Sequence, residues 1–554
     1  MTLPAWAEKR QWAKAASLGD LLLLSAANAP EAAALVFPDR NVTYSELADR
    51  AWELAAGLMA VGVRRGDRVG ILMANRPDTV ACIFAIALAG ATVVPINIRY
   101  RALDLPFVIS DAEIALVLTS DEIDGYVDLV GLLHSGLDGM ADAPESTMLA
   151  LPGFPTLRGV VSLGKTPRPG CLSENDLLAA SGGVTAAEVE HRRAAVRLRD
   201  ESLLLYTSGT TASPRGCQLS HEAIVRNWAA VAEVLMISAG DRVWAPCPLF
   251  HLGAVGPLVA CCLTGATFVS DTFFEPERAL ALLQQTRATH LYPAYPPITQ
   301  ALLSHPRFSN TDLSSARAML NVAPPETLRE MQAALPHVVQ VQLYGSTEAG
   351  GAVTYGRLSD DLAARTDTCG LPLPGCEVRI SASETGDICD VGIEGEIHVH
   401  SPGLFDGYAN DPERTAAAFD PDGWYRTGDL GSLDRDGRLR FHGRLKDMLK
   451  VGGENVSPAE IEALLMTHPA VILAAVVGVP DMRLEEVPAA FVELATGAKI
   501  NSDEMIEFCV GRVARFKIPR YVRFVTEWPM SATKIQKQPL RERLVEELGL
   551  APDA

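Results

Sequence analysis

Strand, helix and strand alternate with glycine at the joints through the first half of the chain, which restricts it to a largely parallel α/β architecture. Thr43-Tyr44-Ser45-Glu46 reads as a capping box. After it Leu47, Ala51, Leu54, Leu58 and Val61 recur three and four residues apart, the spacing of one helical face. That helix ends near Gly62 to Gly66. Val69-Gly70-Ile71-Leu72-Met73 then reads as a buried strand, Asp78 to Leu88 as a helix and Ala91 to Pro95 as the next strand. The junction Leu88-Ala89-Gly90-Ala91-Thr92-Val93-Val94 is echoed by Leu263-Thr264-Gly265-Ala266-Thr267-Phe268-Val269. Each follows an apolar helix-like run, which supports two similar α/β subdomains.

At 554 residues the chain exceeds one compact core, and a prior of roughly 150 residues per domain allows two to four units. A net charge of −20 repels nucleic-acid phosphates, so a general DNA or RNA binder is excluded. The ten cysteines include no CxxC pair, which speaks against a zinc or redox motif and fits reduced thiols. Met1 to Asp20 mixes charges with alanine and lacks an apolar h-region, so a cytoplasmic location is expected. Thr79 to Ile98 and Val243 to Ser270 are uncharged and long. Both are broken by Pro and Gly and read as buried helix, turn and strand rather than as membrane spans. Peripheral membrane association and a homodimer stay open.

Asp121 to Glu190 is rich in Gly, Pro and Ser and reads as a long connection or surface insertion with little chemistry. The clearest boundary lies near Gly443 to Lys446, which divides the chain into residues 1–443 and 444–554. Just past it, Ser457-Pro458-Ala459-Glu460 reads as a second capping box with Pro at the first helical position. From Arg512 to Arg543 nine Lys or Arg face only Glu527 and Glu542. Such a patch attracts polyphosphate or is simply a solvated basic face.

The strongest local signal is Tyr206-Thr207-Ser208-Gly209-Thr210-Thr211-Ala212-Ser213-Pro214-Arg215-Gly216, directly after the apolar run Leu203-Leu204-Leu205. Hydroxyls and backbone N–H groups there can wrap a phosphate chain, with Arg215 as a cationic clamp. It is not a P-loop, because the basic residue precedes the second glycine at a different spacing. Tyr344-Gly345-Ser346-Thr347-Glu348 adds an aromatic face, two hydroxyls and a carboxylate. Then come Trp424-Tyr425-Arg426-Thr427-Gly428-Asp429-Leu430, Gly443-Arg444-Leu445-Lys446-Asp447 and Lys534-Ile535-Gln536-Lys537.

In this order and spacing the five motifs resemble the acyl-adenylate-forming superfamily: acyl-CoA synthetases, firefly luciferase and peptide-synthetase adenylation domains. The resemblance runs from about Leu21 to Leu544. It implies an α/β fold whose large N-terminal domain holds two pseudo-similar α/β subdomains and a β-subdomain, with a small mobile α+β C-terminal domain. It implies an ATP- and Mg²⁺-dependent carboxylic acid:CoA ligase working through acyl-AMP. The chemistry is sound, since a carboxylate becomes a good acyl donor only once its oxygen is exchanged for a leaving group such as AMP.

By the same resemblance, Thr207, Ser208, Gly209, Thr210, Thr211 and Arg215 hold the β- and γ-phosphates. Tyr344, beside Gly345, stacks on adenine, Thr347 contacts the α-phosphate and Glu348 holds Mg²⁺. Asp429 accepts from the ribose hydroxyls, and Arg444 donates to ribose or phosphate. Lys534 neutralises charge as adenylation proceeds. Lys446 matches the hinge, and the loop with Gly452 and Gly453 approaches CoA's pantetheine arm in the second half-reaction. Read by itself, Gly452-Gly453 is a hairpin turn.

The chain departs from the family pattern at Ala212 and Arg215, which replace Gly and Lys. Leu320-Asn321-Val322-Ala323-Pro324 stands where Gly-Gly-Ala-Pro is common beside the adenine and acyl pocket, and Ser531-Ala532-Thr533 lacks the usual glycine before Lys534. Amino-acid-activating relatives place an Asp near Phe250-His251. Without that anion an ammonium would be costly to bury, which speaks against an α-amino acid and leaves His251 to gate or orient the carboxylate; a fatty acid of medium or long chain is the first expectation and a ring-bearing acid the next. Loading of an acyl carrier protein in place of CoA is the alternative, distinguished by whether CoA is consumed. A non-catalytic acyl-nucleotide binder would be expected to lack Lys534, Glu348 or Asp429, and all three are present.

Overall fold

The computed structural model describes residues 16–550 except 146–147, 208–213, 383–384, 453, 496 and 532–533, and except the side chains of Asn455, Ser531 and Lys534. Two large sheets dominate. One has eight strands in the order Gly407–Tyr408, Arg215–Ser220, Glu201–Thr207, Thr92–Pro95, Arg68–Leu72, Ile114–Thr119, Gly159–Ser162 and Cys171–Ser173. It is parallel from Glu201–Thr207 onward. The other has seven: Val339–Val341, Ala318–Asn321, His290–Ala294, Arg242–Trp244, Thr267–Val269, Ala33–Phe37 and, antiparallel at its edge, Arg40–Thr43.

The expected cadence is present. Thr43 caps the helix Tyr44–Ala60 in a complete capping box, and Leu47, Ala51, Leu54 and Leu58 are buried. Pro77–Leu88 is apolar on every face and buried from Thr79 to Leu88, as a helix between two layers must be. One continuous core joins both sheets through this helix, Leu18–Asn28, His221–Val234 and Leu252–Thr264. The two echoed junctions adopt the same conformation. Gly90 (φ +68°) and Gly265 (φ +73°) turn the chain left-handed between helix and strand.

Residues 121–190 depart from the expectation of a long connection. They supply the strands Gly159–Ser162 and Cys171–Ser173, which extend the parallel sheet, and the helices Leu129–Gly136, Glu174–Ser181 and Ala186–Ala194. Strands of four and three residues are too short to show a period in sequence.

An antiparallel four-stranded sheet, Glu377–Ser381, Gly395–His400, Tyr425–Leu433 and Leu439–Arg444, forms the β-subdomain. Beyond it a five-stranded sheet is built around Val471–Asp481 and Glu485–Leu494. Side chains alternate along these two strands into separate cores, Val476, Ala490 and Val492 on one face and Val477, Ala489 and Phe491 on the other. Among the described residues no helix is long and apolar enough to cross a membrane.

The second capping box does not form. Pro458 does occupy the first turn of Pro458–Met466, but the Ser457 hydroxyl donates to the His442 carbonyl (2.6 Å), and Glu460 receives Lys517 Nζ (2.7 Å). Long-range partners outcompete the local cap.

Candidate active site

The carboxyl ends of His290–Ala294, Ala318–Asn321 and Val339–Val341 open onto a cavity of about 760 Å³, the usual position for a ligand on a parallel sheet. The β-subdomain forms its far wall. His251, Ala323, Pro324, Tyr344, Gly345, Thr347, Asp429 and Arg444 all line it, although they span almost two hundred residues of chain.

At the polar end a cross-strand pair sets the geometry, since Asp429 and Arg444 face each other in register on Tyr425–Leu433 and Leu439–Arg444. Arg444 Nε lies 3.3 Å from Asp429 Oδ1, and the Tyr344 phenol donates to Oδ2 at 2.8 Å. Burial, with the Asp429 charge beside it, pushes the Tyr344 hydroxyl well above its ordinary range, so it remains a donor. Phe441 stacks against Tyr344 with centroids 5.9 Å apart. Behind Asp429 the buried Glu396 accepts from the Gly428 N–H (3.1 Å) and from Arg426 (3.2 Å), which fixes the turn that presents the carboxylate.

At the apolar end His251 begins the helix Leu252–Thr264. Its Nδ1 accepts from the Gly253 N–H at 3.0 Å, so the neutral ring carries its proton on Nε2, 3.4 Å from the Tyr295 hydroxyl. Leu252, Gly253, Tyr292 and Ala294 continue this wall.

Thr207 and Arg215 are register partners on the hairpin that brackets the expected phosphate loop. Ser208, Gly209, Thr210 and Thr211 lie outside the described residues, as does Gly453. Glu348 turns away from the cavity lining to Tyr408, whose hydroxyl donates to Oε1 at 3.1 Å, and the Arg215 guanidinium sits 6.0 Å from the same ring. A single carboxylate suits Mg²⁺, which binds through one or two and fills its shell with phosphate oxygen and water. No group of three or more His, Cys, Asp or Glu suited to a metal occurs among the described residues.

From the C-terminal segment, Ser457, Ala459, Glu460 and Ala463 border the cavity, while Lys446 and Gly452 do not line it. Lys446 sits in the short turn Leu445–Asp447, and its ammonium is pushed below its ordinary range by burial, aided by the nearby charges of Arg444 and Arg215 and opposed by Asp447 and Asp429. Gly452 has φ +60° between the antiparallel strands Leu449–Val451 and Glu454–Val456, the hairpin read from sequence. Lys534 lies on a second hairpin, its backbone paired with Ser531. The basic stretch around it is largely paired: Lys517 meets Glu460, Arg520 Asp481, Arg523 Glu547 and Lys537 Glu462.

Tyr408, Tyr295, Phe441 and Glu396 escaped the sequence reading because each reaches the site by tertiary packing alone. Ser346 was legible inside its motif. Its Oγ is buried with no hydrogen-bond partner among the described residues, and the residue lines the cavity, so it offers a ligand an unsatisfied hydroxyl.

Comparison with known proteins agrees with this geometry. Residues 23–409 match the AMP-binding enzyme family and residues 460–534 the AMP-binding enzyme C-terminal domain. A 3-[(3aS,4S,7aS)-7a-methyl-1,5-dioxo-octahydro-1H-inden-4-yl]propanoyl:CoA ligase of Mycobacterium tuberculosis is 36% identical over 518 residues, 93% of this chain and 96% of that protein. The mitochondrial medium-chain acyl-CoA ligase ACSF2 of Macaca fascicularis is 33% identical, covering 96% of this chain and 88% of that one. Among solved structures, the anthranilate CoA ligase AuaEII in complex with anthranoyl-AMP superposes with a TM-score of 0.84 at 26% identity, covering 97% and 98% of the two chains. With the ordered motifs and the α/β architecture, these matches establish that the chain belongs to the AMP-binding enzyme family, as an ATP-using ligase of the acyl-CoA synthetase type.

Proposed function

We propose that the chain condenses a fatty or ring-bearing carboxylic acid with ATP to acyl-AMP and pyrophosphate, then passes the acyl group to CoA and releases AMP. The observation that carries this reading is one cavity with a nucleotide-like end at Tyr344, Asp429 and Arg444 and an apolar end at His251, Leu252 and Tyr292. A carboxylate between the two can reach an α-phosphorus without leaving the cavity, the proximity such a displacement needs.

In this reading Asp429 accepts from the ribose hydroxyls while Arg444 donates to ribose or phosphate. Thr347 contacts the α-phosphate. The hairpin from Thr207 to Arg215 holds the leaving pyrophosphate, and Glu348 holds Mg²⁺, which would screen the phosphate charge. The Nε2–H of His251 orients the carboxylate, the one proton-bearing ring atom left by the Gly253 contact. The C-terminal unit, residues 444–554, turns about Lys446. It presents Lys534 for adenylation and the glycines of 452 and 453 for thioester formation.

The test is acid-dependent pyrophosphate release from ATP and Mg²⁺ across fatty, aryl, alicyclic and amino acids, with and without CoA, and products identified by mass. Acyl-CoA from fatty or ring-bearing acids is the expected product. Acyl-AMP that accumulates and ignores CoA would refute CoA as the acceptor, and turnover of amino acids alone would refute the acid class.

A further inference from the structure

We propose that Trp228 is the floor of the apolar end and restricts the enzyme to compact acyl groups, short or medium chains and ring systems, excluding long straight chains. The proposal rests on the acid-activating reading of the cavity. Trp228 comes from the helix His221–Val234, more than twenty residues before the His251 motif, and lines the cavity while remaining only 2% exposed.

The indole is clamped on several sides. Its N–H donates to the Gly350 carbonyl at 3.1 Å. A Cβ at Gly256 would stand 1.8 Å from the indole Cζ2, and one at Gly351 would stand 3.1 Å from it, so the ring occupies space that only glycine leaves open. Tyr292 approaches with ring centroids 6.0 Å apart at 58°. Next along the helix, Asn227 donates to the Ala352 carbonyl at 2.7 Å, which anchors the same loop that the indole holds. A side chain fixed by a hydrogen bond and by backbone on two elements does not swing aside at small cost.

Size points the same way. The cavity of about 760 Å³ has to receive both the nucleotide moiety and the acyl group, whereas roughly 300–1,000 Å³ ordinarily serves a single drug-sized ligand. Trp228 and Tyr292 together line the part left to the acyl group with aromatic rings, which suits a ring or a short chain.

The experiment compares kcat/KM for hexanoate, decanoate, tetradecanoate and a bicyclic propanoate in the full-length wild type, Trp228→Phe and Trp228→Ala, read by pyrophosphate release. Trp228→Ala opens room for about four or five methylene groups, each near a water's share of roughly 30 Å³. The tetradecanoate-to-hexanoate ratio should therefore rise about tenfold or more in that variant, and stay within about threefold of wild type in Trp228→Phe, which loses the N–H bond but keeps most of the floor. If Trp228→Ala does not fold, Trp228→Leu carries the same test with a smaller shift. A folded Trp228→Ala or Trp228→Leu with the wild-type profile, or a wild type that already prefers tetradecanoate, overturns the floor alone. Absence of pyrophosphate release with every acid in the wild type overturns acid activation and the floor with it.

Discussion

Tyr344→Phe removes one oxygen and leaves the ring, so it isolates the bond that holds Asp429. That bond, 2.8 Å long between two residues each 7% exposed, joins a phenol to a carboxylate, and such a charge-assisted bond contributes about 1.5–3 kcal/mol. The other side chain at Asp429, the cation Arg444, is exposed, and its pair contributes about 1 kcal/mol or less after solvent screening. If Asp429 must be held in place to receive the ribose, the lost bond appears in ATP binding. At about 1.4 kcal/mol per decade, the KM for ATP should rise roughly ten- to a hundredfold, with kcat at saturating ATP changed far less. The assay is acid-dependent pyrophosphate release against ATP concentration, on variants whose circular dichroism matches wild type. Asp429→Asn weakens the same bond from its other side, so the double variant should fall short of additivity by about 1 kcal/mol or more. An unchanged KM for ATP in Tyr344→Phe, or additivity within about 0.5 kcal/mol, would refute the argument that Tyr344 positions Asp429.

His221 offers a pH test: burial pushes its imidazole down to about 4, partly opposed by Asp200, while its Nδ1 accepts from the Leu18 N–H at 3.1 Å. Between about pH 4 and 6.5 the unfolded chain takes up a proton that the folded chain refuses, so stability rises with pH across that window. This one group costs about 2 kcal/mol at pH 5 relative to pH 7, and urea midpoints at the two pH values should show a shallower dependence in His221→Gln. Ser457→Ala removes the bond to the His442 carbonyl, and a loss of about 1 kcal/mol should expose the 444–450 segment to protease roughly fivefold faster. Equal cleavage rates would show that this bond does not hold the C-terminal unit in place. Lys534→Ala should abolish acyl-AMP formation and spare thioester formation from supplied acyl-AMP, while bulky exchanges at Gly453 should do the reverse; equal loss of both steps in either folded variant counts against a hinged two-state cycle.

Much of the polar end was legible because its chemistry is carried in runs of five to seven residues. Tyr344 to Glu348 and Trp424 to Leu430 announce themselves by the combination of hydroxyl, aromatic ring and carboxylate. Glu396 was not legible. Its effect on Asp429 passes through the Gly428 N–H across a sheet register, and nothing local distinguishes it from any acidic strand residue. The misread capping box has the same origin. Ser457 and Glu460 have the right types at the right spacing, yet His442 and Lys517 hold them from fifteen and fifty-seven residues away.

Local sequence determined the α/β cadence, the left-handed glycines between helix and strand and the order of the nucleotide-end motifs. Each is written in neighbouring residues, where backbone geometry and side-chain chemistry act over one turn or one loop. Only the tertiary structure placed Trp228 on the cavity wall. There an indole from one helix occupies space left by Gly256 of another and by Gly351 of a loop. Apolar packing is nondirectional and leaves no spacing rule, so the residues that shape the acyl end become visible only once the helices are placed side by side.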